Sequence, residues 1–201
     1  MIFKQLINPY INGLRMYSTK LAYISDLHLE HNKWNEFYPK IDSKQSDIIK
    51  RAHGLAIIGD LGNPTYDNFS GFLRYIANYF NNIYFISGNH EYYTKNTYFF
   101  DLKNVIDERI NNSIEKAKVS SGNQNIYYLN DEAIDIGDNK FIIGSTLWSD
   151  HKLSIIDRPD NMFYKFVNEQ HSNSVRFLEN ELLNIHTINT LFNVNIPNVT
   201  I

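Results

Sequence analysis

The sequence predicts an α/β protein whose first half is built on a parallel sheet. Short apolar runs alternate with longer segments of helical periodicity over residues 21–117. From residue 126 the pattern changes to closely spaced strands, and a last helix follows. A βαβαβ order followed by a β-rich part favours one α/β domain with two sheets over two separate domains. No internal repeat and no domain linker interrupts this order.

The first half contains three predicted strands and three predicted helices. The strands are the apolar runs at residues 21–25, 55–59 and 83–86. The helices are predicted at residues 43–52, 67–80 and 97–117. Asp67 is the predicted N-cap of the second helix. One apolar face supports that helix, formed by Phe69, Phe72, Leu73, Ile76, Tyr79 and Phe80.

The second half begins with a polar loop at residues 120–125. Predicted strands follow at residues 126–129, 132–136 and 140–144. Gly137, Asp138 and Asn139 form the predicted hairpin turn between the last two. A final helix is predicted at residues 171–184, where Val175, Leu178, Leu182 and Leu183 share a face.

Composition limits the possible functions. The chain has 201 residues, of which 43% are hydrophobic, enough for a sizeable core and against disorder. A net charge of −3 gives no sign of a dedicated nucleic-acid or lipid surface. No run approaches the ~20 apolar residues that cross a bilayer. The absence of cysteine excludes a disulfide scaffold, a zinc–thiolate site and a cysteine nucleophile, and fits a reducing compartment.

The predicted boundaries are a leader at residues 1–20, a domain at 21–184 and an atypical tail at 185–201. The leader contains Lys4, Arg15 and Lys20 but no acidic residue, and apolar residues recur in it. We interpret it as a disordered leader, or as sequence upstream of a true start at Met16, in a cytoplasmic protein. The alternative is a mitochondrial presequence at residues 1–17.

Three of the predicted strands end in residues that bind metals. Asp26 and His28 follow the first strand, Asp60 follows the second, and Asn89 follows the third. Active sites of open α/β sheets collect at the C-terminal ends of strands. Carboxylate, imidazole and amide groups are ligands that divalent transition metals accept. The alternative interpretation, three ordinary strand-to-loop turns, does not account for the whole set.

Spacing assigns a function to each residue of the set. If the first strand continues, Asp26 and His28 share a face and can bind one cation. Asp60 can bridge two cations, and Gly59 before it lets the backbone approach closely. Asn89 follows Gly88, which permits a tight turn. His90 is placed to protonate a leaving group or to hold a phosphoryl oxygen.

These segments resemble the signature of the calcineurin-like metallophosphoesterase superfamily, which is Asp-x-His, Gly-Asp and Gly-Asn-His-(Asp/Glu). The matching residues are Asp26-Leu27-His28, Gly59-Asp60 and Gly88-Asn89-His90-Glu91. The stretches Tyr127-Tyr128-Leu129-Asn130 and Gly144-Ser145-Thr146-Leu147-Trp148-Ser149 resemble a branch of small members. The resemblance implies a sandwich of two mixed sheets between helices, incomplete at its C-terminal part.

The resemblance also implies roles and a reaction. Asp26 and His28 would bind the first metal ion, Asp60 both, and Asn89 the second, while His90 would assist the leaving group. The ions would be manganese, iron, zinc or similar. Two such ions ~3.5–4 Å apart activate a water that attacks the phosphorus of a phosphate ester. The substrate class stays open, since one fold serves many substrates.

The chain departs from this pattern near its end. The superfamily adds a further His after a strand and then a Gly-His-x-His segment, and nothing after residue 184 matches either. The second metal ion would then have only Asp60 and Asn89. His186 is a weak substitute, because no apolar strand precedes it. The remaining candidates are assigned other positions: His31 to a solvated loop, His53 to a helix end, His151 to the surface and His171 to a cap or the core.

Two functions therefore follow from the sequence. The first is a metal-dependent phosphate-ester hydrolase. The second is an inactive remnant, truncated by a frameshift, an early stop or a split gene, that acts as a binding module. Five aromatic residues near the motifs are predicted to pack loops, although they could stack a base: Trp34, Tyr38, Tyr92, Tyr93 and Trp148.

Overall fold

The first sheet has five strands in the order in which they occur in the chain. The computed structural model describes residues 4–5, 21–31, 52–92, 102–137, 140–146, 148 and 162–191. The strands are β1 (Lys4–Gln5), β2 (Leu21–Ile24), β3 (Gly54–Ile58), β4 (Ile83–Ile86) and β5 (Ile126–Tyr128). Strands β2 to β5 are parallel. Strand β1, which lies within the predicted leader, pairs antiparallel with β2.

Parallel pairing places the ends of the three predicted strands at one edge of the sheet. Ile24 lies opposite Ile57, and Ile58 lies opposite Ile86. The two central strands, β3 and β4, are buried along most of their length, as is typical of parallel strands covered on both faces. The residues that follow β2, β3 and β4 therefore emerge side by side.

Helix α1 (Asp67–Ile76) connects β3 to β4. It buries Phe69, Phe72, Leu73 and Ile76, which are spaced as one helical face. The prediction that Asp67 is the N-cap was wrong. Tyr66 occupies the N-cap position without a side-chain hydrogen bond, and Asp67 is the first helical residue. An acidic side chain in the first turn still interacts favourably with the helix dipole.

Helix α2 (Leu102–Ser121) connects β4 to β5. Its buried face consists of Ile106, Ile110, Ile114 and Ala117. The helix continues past the predicted end at residue 117 and stops at Gly122, whose φ of 75° is the left-handed conformation that often ends helices. Because α2 is a crossover connection, β5 joins the parallel sheet instead of the β-rich part.

The chain divides into two compact units, Met1–Asn130 and Asp131–Ile201. In the second unit, β6 (Glu132–Asp135) and β7 (Phe141–Gly144) form the predicted antiparallel hairpin. Of the predicted turn, Asp138 and Asn139 lie outside the described residues. Helix α3 (Met162–Leu191) is longer than the predicted 171–184. Its additional first part buries Phe166 and Val167, a face that the prediction did not include.

Polar contacts inside the second unit hold α3 against the segment after β7. The ring N–H at Nδ1 of His171 donates to the carbonyl oxygen of Trp148 at 2.6 Å. Because α3 begins at Met162, His171 lies inside the helix and is half-buried, so it does not cap the helix as one of its two predicted roles required. The indole of Trp148 also packs edge-on against Phe166. The predicted helix ended at residue 184, which placed His186 beyond it. Because α3 extends to Leu191, His186 lies within the helix instead.

The mixed α/β fold class is therefore confirmed, with a parallel sheet, an antiparallel hairpin and three helices among the described residues. None of these helices is long and apolar enough to span a membrane. The predicted helix at residues 43–52 falls almost entirely outside the described part of the chain, as do His151, Trp34, Tyr38 and Tyr93. Tyr92 and Trp148 are buried, consistent with the packing role predicted for them.

Candidate metal centre

The segment after β2 runs beside the segment after β3. The backbone N–H of Asp26 donates to the carbonyl of Gly59, and the N–H of His28 donates to the carbonyl of Asp60. The first strand does not continue to His28, which was the condition for Asp26 and His28 to share a strand face. Asp26 and His28 have φ values of 55° and 45°, so the backbone leaves the strand conformation.

Left-handed backbone at three candidate ligands is unusual for residues other than glycine. Asp60 has a φ of 52°, like Asp26 and His28. Such conformations cost free energy and persist only where the surroundings enforce them. The hydrogen bonds between the two segments provide that enforcement. This strain cannot be inferred from the Asp-x-His spacing alone.

The side chains of Asp26, His28 and Asp60 converge. One ligand atom from each lies within 4.8 Å of the others. Two ligands on opposite sides of one ion with bonds of ~2.1 Å are separated by ~4.2 Å, so the spacing is close to that of a single coordination sphere. Two carboxylates and an imidazole suit a divalent transition metal. The three residues therefore fit one such ion.

The segment after β4 joins the other two through Asp60. The backbone N–H of His90 donates to Oδ1 of Asp60 at 3.1 Å. The rings of His90 and His28 meet edge to face with centroids 4.7 Å apart. Asn89 precedes His90 in the same segment and is half-buried. Its role as a ligand stays a prediction, whereas His90 clearly lies beside the group formed by Asp26, His28 and Asp60.

Two glycines make this close approach possible. A Cβ atom on Gly59 would lie 2.9 Å from the Cα of Gly88, and one on Gly88 would lie 2.7 Å from the backbone nitrogen of Asp60. Neither distance is compatible with a side chain. The glycines before Asp60 and Asn89 thus allow the two segments to touch, as the sequence predicted.

Glu91 links the same segments from inside the protein. Its fully buried carboxylate accepts hydrogen bonds from the backbone N–H groups of Gly88 at 2.7 Å, Gly62 at 3.1 Å and Asp60 at 3.2 Å. Burial raises the pKa of the Glu91 carboxyl to about 7, against the opposing effect of the hydrogen bonds from Gly62 and Gly88. Sequence analysis assigned Glu91 no role, although the motif places it directly after His90.

A polar cluster anchors the far end of this segment. The hydroxyls of Tyr92 and Tyr128 both donate to Oδ1 of Asp107 in α2, at 2.7 and 2.8 Å. Oδ2 of Asp107 accepts hydrogen bonds from Lys103 at 3.0 Å and from Asn130 at 3.1 Å.

The same cluster reaches the start of the segment after β4. The hydroxyl of Ser87 lies 3.1 Å from each tyrosine hydroxyl. Ser87 and Tyr92 thus fix both ends of the segment that carries Asn89 and His90.

A second group of possible ligands adjoins the first. Ligand atoms of His28, Glu30 and His31 also lie within 4.8 Å of one another. Glu30 was not identified from the sequence, and its only signal is that it continues the alternation of Asp26 and His28. His31 is exposed, as predicted. His53 directly precedes β3, at the end of that strand opposite to Asp60, and its Nε2 is 3.2 Å from the hydroxyl of Tyr84.

The site thus combines candidate metal ligands from the ends of two neighbouring parallel strands. The family model for calcineurin-like phosphoesterases matches residues 19–192, and the chain belongs to that family. The chain is also similar to uncharacterized protein L509 of Acanthamoeba polyphaga mimivirus. The two are 31% identical over 159 residues, which are 75% of this chain and 50% of L509. The chain therefore spans about half the length of this relative. No solved structure matches the chain significantly.

Proposed function

We propose that this protein hydrolyses phosphate esters at a site for two divalent metal ions. The observation that supports this function is the convergence of Asp26, His28 and Asp60 within 4.8 Å, in a chain of the calcineurin-like phosphoesterase family. In this proposal Asp26 and His28 would hold one ion, Asp60 would contribute to both, and Asn89 would offer its amide oxygen to the second. The substrate carries a phosphoryl group that these ions attract.

The reaction exchanges one bond at phosphorus for another. The oxygen of a water molecule forms a bond to phosphorus, its proton passes to solvent, and the bond between phosphorus and the leaving oxygen breaks. Bound divalent ions supply the positive charge that lowers the pKa of water and stabilises the phosphoryl oxygens. No covalent protein nucleophile is required.

His90 is the proposed proton donor to the leaving oxygen. Its backbone N–H is fixed on Oδ1 of Asp60, and its ring rests against the ring of His28. Both contacts keep the imidazole beside the proposed ions. A proton given to the leaving oxygen is recovered from solvent after each turnover.

The first test measures hydrolysis of p-nitrophenyl phosphate and of its bis-ester with added Mn²⁺. We expect Asp60→Asn to fall to the background rate, because it removes a charge that both ions need. Asp67→Asn makes the same chemical change at an exposed position in α1 and should keep full activity. Equal rates for wild type and Asp60→Asn would overturn the proposal.

His90→Gln separates proton transfer from metal binding. We expect its kcat to fall by about 10²–10⁴-fold, the usual contribution of a general acid. Its Mn²⁺ affinity, measured by titration calorimetry, should change little. A loss of Mn²⁺ affinity equal to that of Asp60→Asn would show that His90 acts as a ligand instead.

The alternative proposal is a metal-poor binding module without turnover. It is favoured by ligand counting, since Asp60 and Asn89 are the only residues assigned to the second ion. Calorimetric titration with Mn²⁺ distinguishes the two proposals, because a hydrolase with a dinuclear site should take up two ions per chain. One ion per chain, together with no hydrolysis, would favour the binding module.

A further inference from the structure

Glu30 lies beside a candidate metal ligand but outside the group formed by Asp26, His28 and Asp60. Its Oε1 is 3.3 Å from Nδ1 of His28, and its side chain is only 16% exposed. The second neighbour of Oε1 is Nε2 of His31 at 3.6 Å, on a side chain that is 73% exposed. Glu30 therefore contacts His28 from within the protein and His31 at the surface.

The other carboxylate oxygen of Glu30 is buried next to Gly62. Oε2 is buried and has no hydrogen-bond partner among the described residues. A Cβ atom on Gly62 would lie 2.8 Å from Oε2, and Gly62 has a φ of 147°, so only glycine leaves room for the carboxylate. A buried carboxylate oxygen without a donor is costly. The contact between Oε1 and His28 offers a reason for this placement.

The contact restricts which nitrogen of His28 can bind an ion. A carboxylate oxygen accepts a hydrogen bond from a ring N–H, so the 3.3 Å contact with Oε1 favours the tautomer that has its proton on Nδ1 of His28. The lone pair of the neutral ring is then on Nε2. A metal-binding histidine commonly donates its other ring N–H to a carboxylate, which fixes the ring and increases its basicity.

We propose that Glu30 is a positioning residue that holds His28 as the Nδ1–H tautomer, so that Nε2 is presented to the ion shared with Asp26 and Asp60. This inference rests on the proposed metal site, but not on turnover. Glu30 acts through His28 and touches neither ion nor substrate. His31 has no part in it.

The tautomer of His28 can be measured directly in the metal-free protein. Long-range ¹H–¹⁵N spectra of ¹⁵N-histidine-labelled protein, recorded over a series of pH values, distinguish protonated from unprotonated ring nitrogens. His28→Gln assigns the signal. We expect Nδ1–H in wild type and a shift towards Nε2–H in Glu30→Ala. Nε2–H in wild type, or an unchanged signal in Glu30→Ala, would overturn the proposal.

Mn²⁺ affinity provides the second readout. We expect Glu30→Ala to weaken binding by about 10–100-fold, the usual effect of losing a residue that orients a ligand. Glu30→Gln retains an acceptor oxygen and should recover part of the affinity. Glu108→Ala removes an exposed glutamate from α2 and should have no effect.

His31→Ala tests the competing possibility that His28, Glu30 and His31 bind an ion themselves. We expect unchanged Mn²⁺ affinity and stoichiometry in this variant. Loss of one bound ion in His31→Ala would overturn the positioning role. If Glu30→Ala leaves the tautomer unchanged while Asp60→Asn still abolishes hydrolysis, the positioning role fails and the proposed function stands.

Discussion

Glu91 and Asp60 hold each other's segments in place. The carboxylate of Glu91 accepts a hydrogen bond from the backbone N–H of Asp60, and the carboxylate of Asp60 accepts one from the N–H of His90, the residue before Glu91. Each acidic side chain therefore fixes the backbone that carries the other. The orientation of Asp60, a candidate ligand, depends on both contacts.

Glu91→Gln should destabilise the protein. An amide has one acceptor oxygen, so its NH₂ group would face at least one of the three backbone N–H groups that Glu91 now satisfies. We expect the free energy of unfolding to fall by about 1–3 kcal/mol, as for other buried hydrogen-bond donors left unpaired. Urea denaturation measures it. Glu108→Gln, at an exposed position, is the matched control, and equal midpoints for the two variants would contradict the prediction.

Gly88→Ala should disrupt the metal centre. The added Cβ would lie 2.7 Å from the backbone nitrogen of Asp60, which cannot move without breaking the contact with Glu91. We expect loss of Mn²⁺ binding by calorimetry together with a lower melting temperature. Gly122→Ala meets nothing within 4 Å but has a φ of 75°. It should lose about 1 kcal/mol from backbone strain alone and keep Mn²⁺ affinity.

Asp107→Asn should loosen the segment between Ser87 and Tyr92 from a distance. The carboxylate accepts four hydrogen bonds from side chains, and an amide would turn a donor towards some of them. We expect a loss of about 1–3 kcal/mol in unfolding free energy. Faster hydrogen exchange should appear at Asn89 and His90, while exposed Asp135→Asn leaves exchange there unchanged. Unchanged hydrogen exchange at Asn89 and His90 in Asp107→Asn would show that this cluster does not stabilise the segment that carries them.

The two tyrosines should make the protein sensitive to alkali. Burial, followed by the charge of Asp107, raises the pKa of Tyr92 above its usual 10.0, and burial likewise raises that of Tyr128. The unfolded chain then loses these protons at lower pH than the folded chain does. Ionisation of these two tyrosines therefore leaves the free energy of unfolding unchanged below about pH 10 and lowers it as the pH rises beyond that value.

Tyr128→Phe checks this alkaline effect. The variant loses hydrogen bonds at neutral pH, but its free energy of unfolding should decline less steeply above pH 10. Urea midpoints across this range, compared with exposed Tyr79→Phe, provide the measurement. Parallel curves for wild type and Tyr128→Phe would show that Tyr128 ionises normally.

Metal removal should lower stability by mass action. If an ion binds only the folded chain, its presence at a hundred times the dissociation constant adds about 2.7 kcal/mol. We expect Mn²⁺ to raise the melting temperature of wild type above that in EDTA. Asp60→Asn should show no such difference and Asp67→Asn the full one. A wild-type melting temperature insensitive to both Mn²⁺ and EDTA would contradict binding at this site.

The strands, and which residues follow them, were predictable because buried parallel strands are short apolar runs with polar ends. The convergence of Asp26, His28 and Asp60 was also predictable, because neighbouring parallel strands end at the same edge of a sheet. Their left-handed backbone did not, because it is imposed by hydrogen bonds to residues distant in sequence, such as Gly59. The alternation of side chains along a strand therefore does not apply to Asp26 and His28, because β2 ends before them.

Buried carboxylates were the least predictable part of the site. Glu91 accepts hydrogen bonds from backbone N–H groups, which every residue except proline supplies, so the sequence does not identify its partners. The carboxylate of Glu30 lies where a side chain at position 62 would be, so its placement depends on Gly62, a residue distant in sequence. The error at Asp67 has a simpler cause. Tyr66 takes the N-cap position without a capping side chain, so the composition there does not mark the boundary.

The parallel pairing of β2 with β3 has a consequence for the order of folding. Asp26 and Asp60 follow different strands that cannot pair until the intervening chain has crossed over, so these candidate ligands meet only after long-range contacts form. A divalent ion then has little to bind in the early, locally structured chain. It should slow unfolding while leaving the rate of folding nearly unchanged. An ion bound there would stabilise the finished fold and would not initiate its formation.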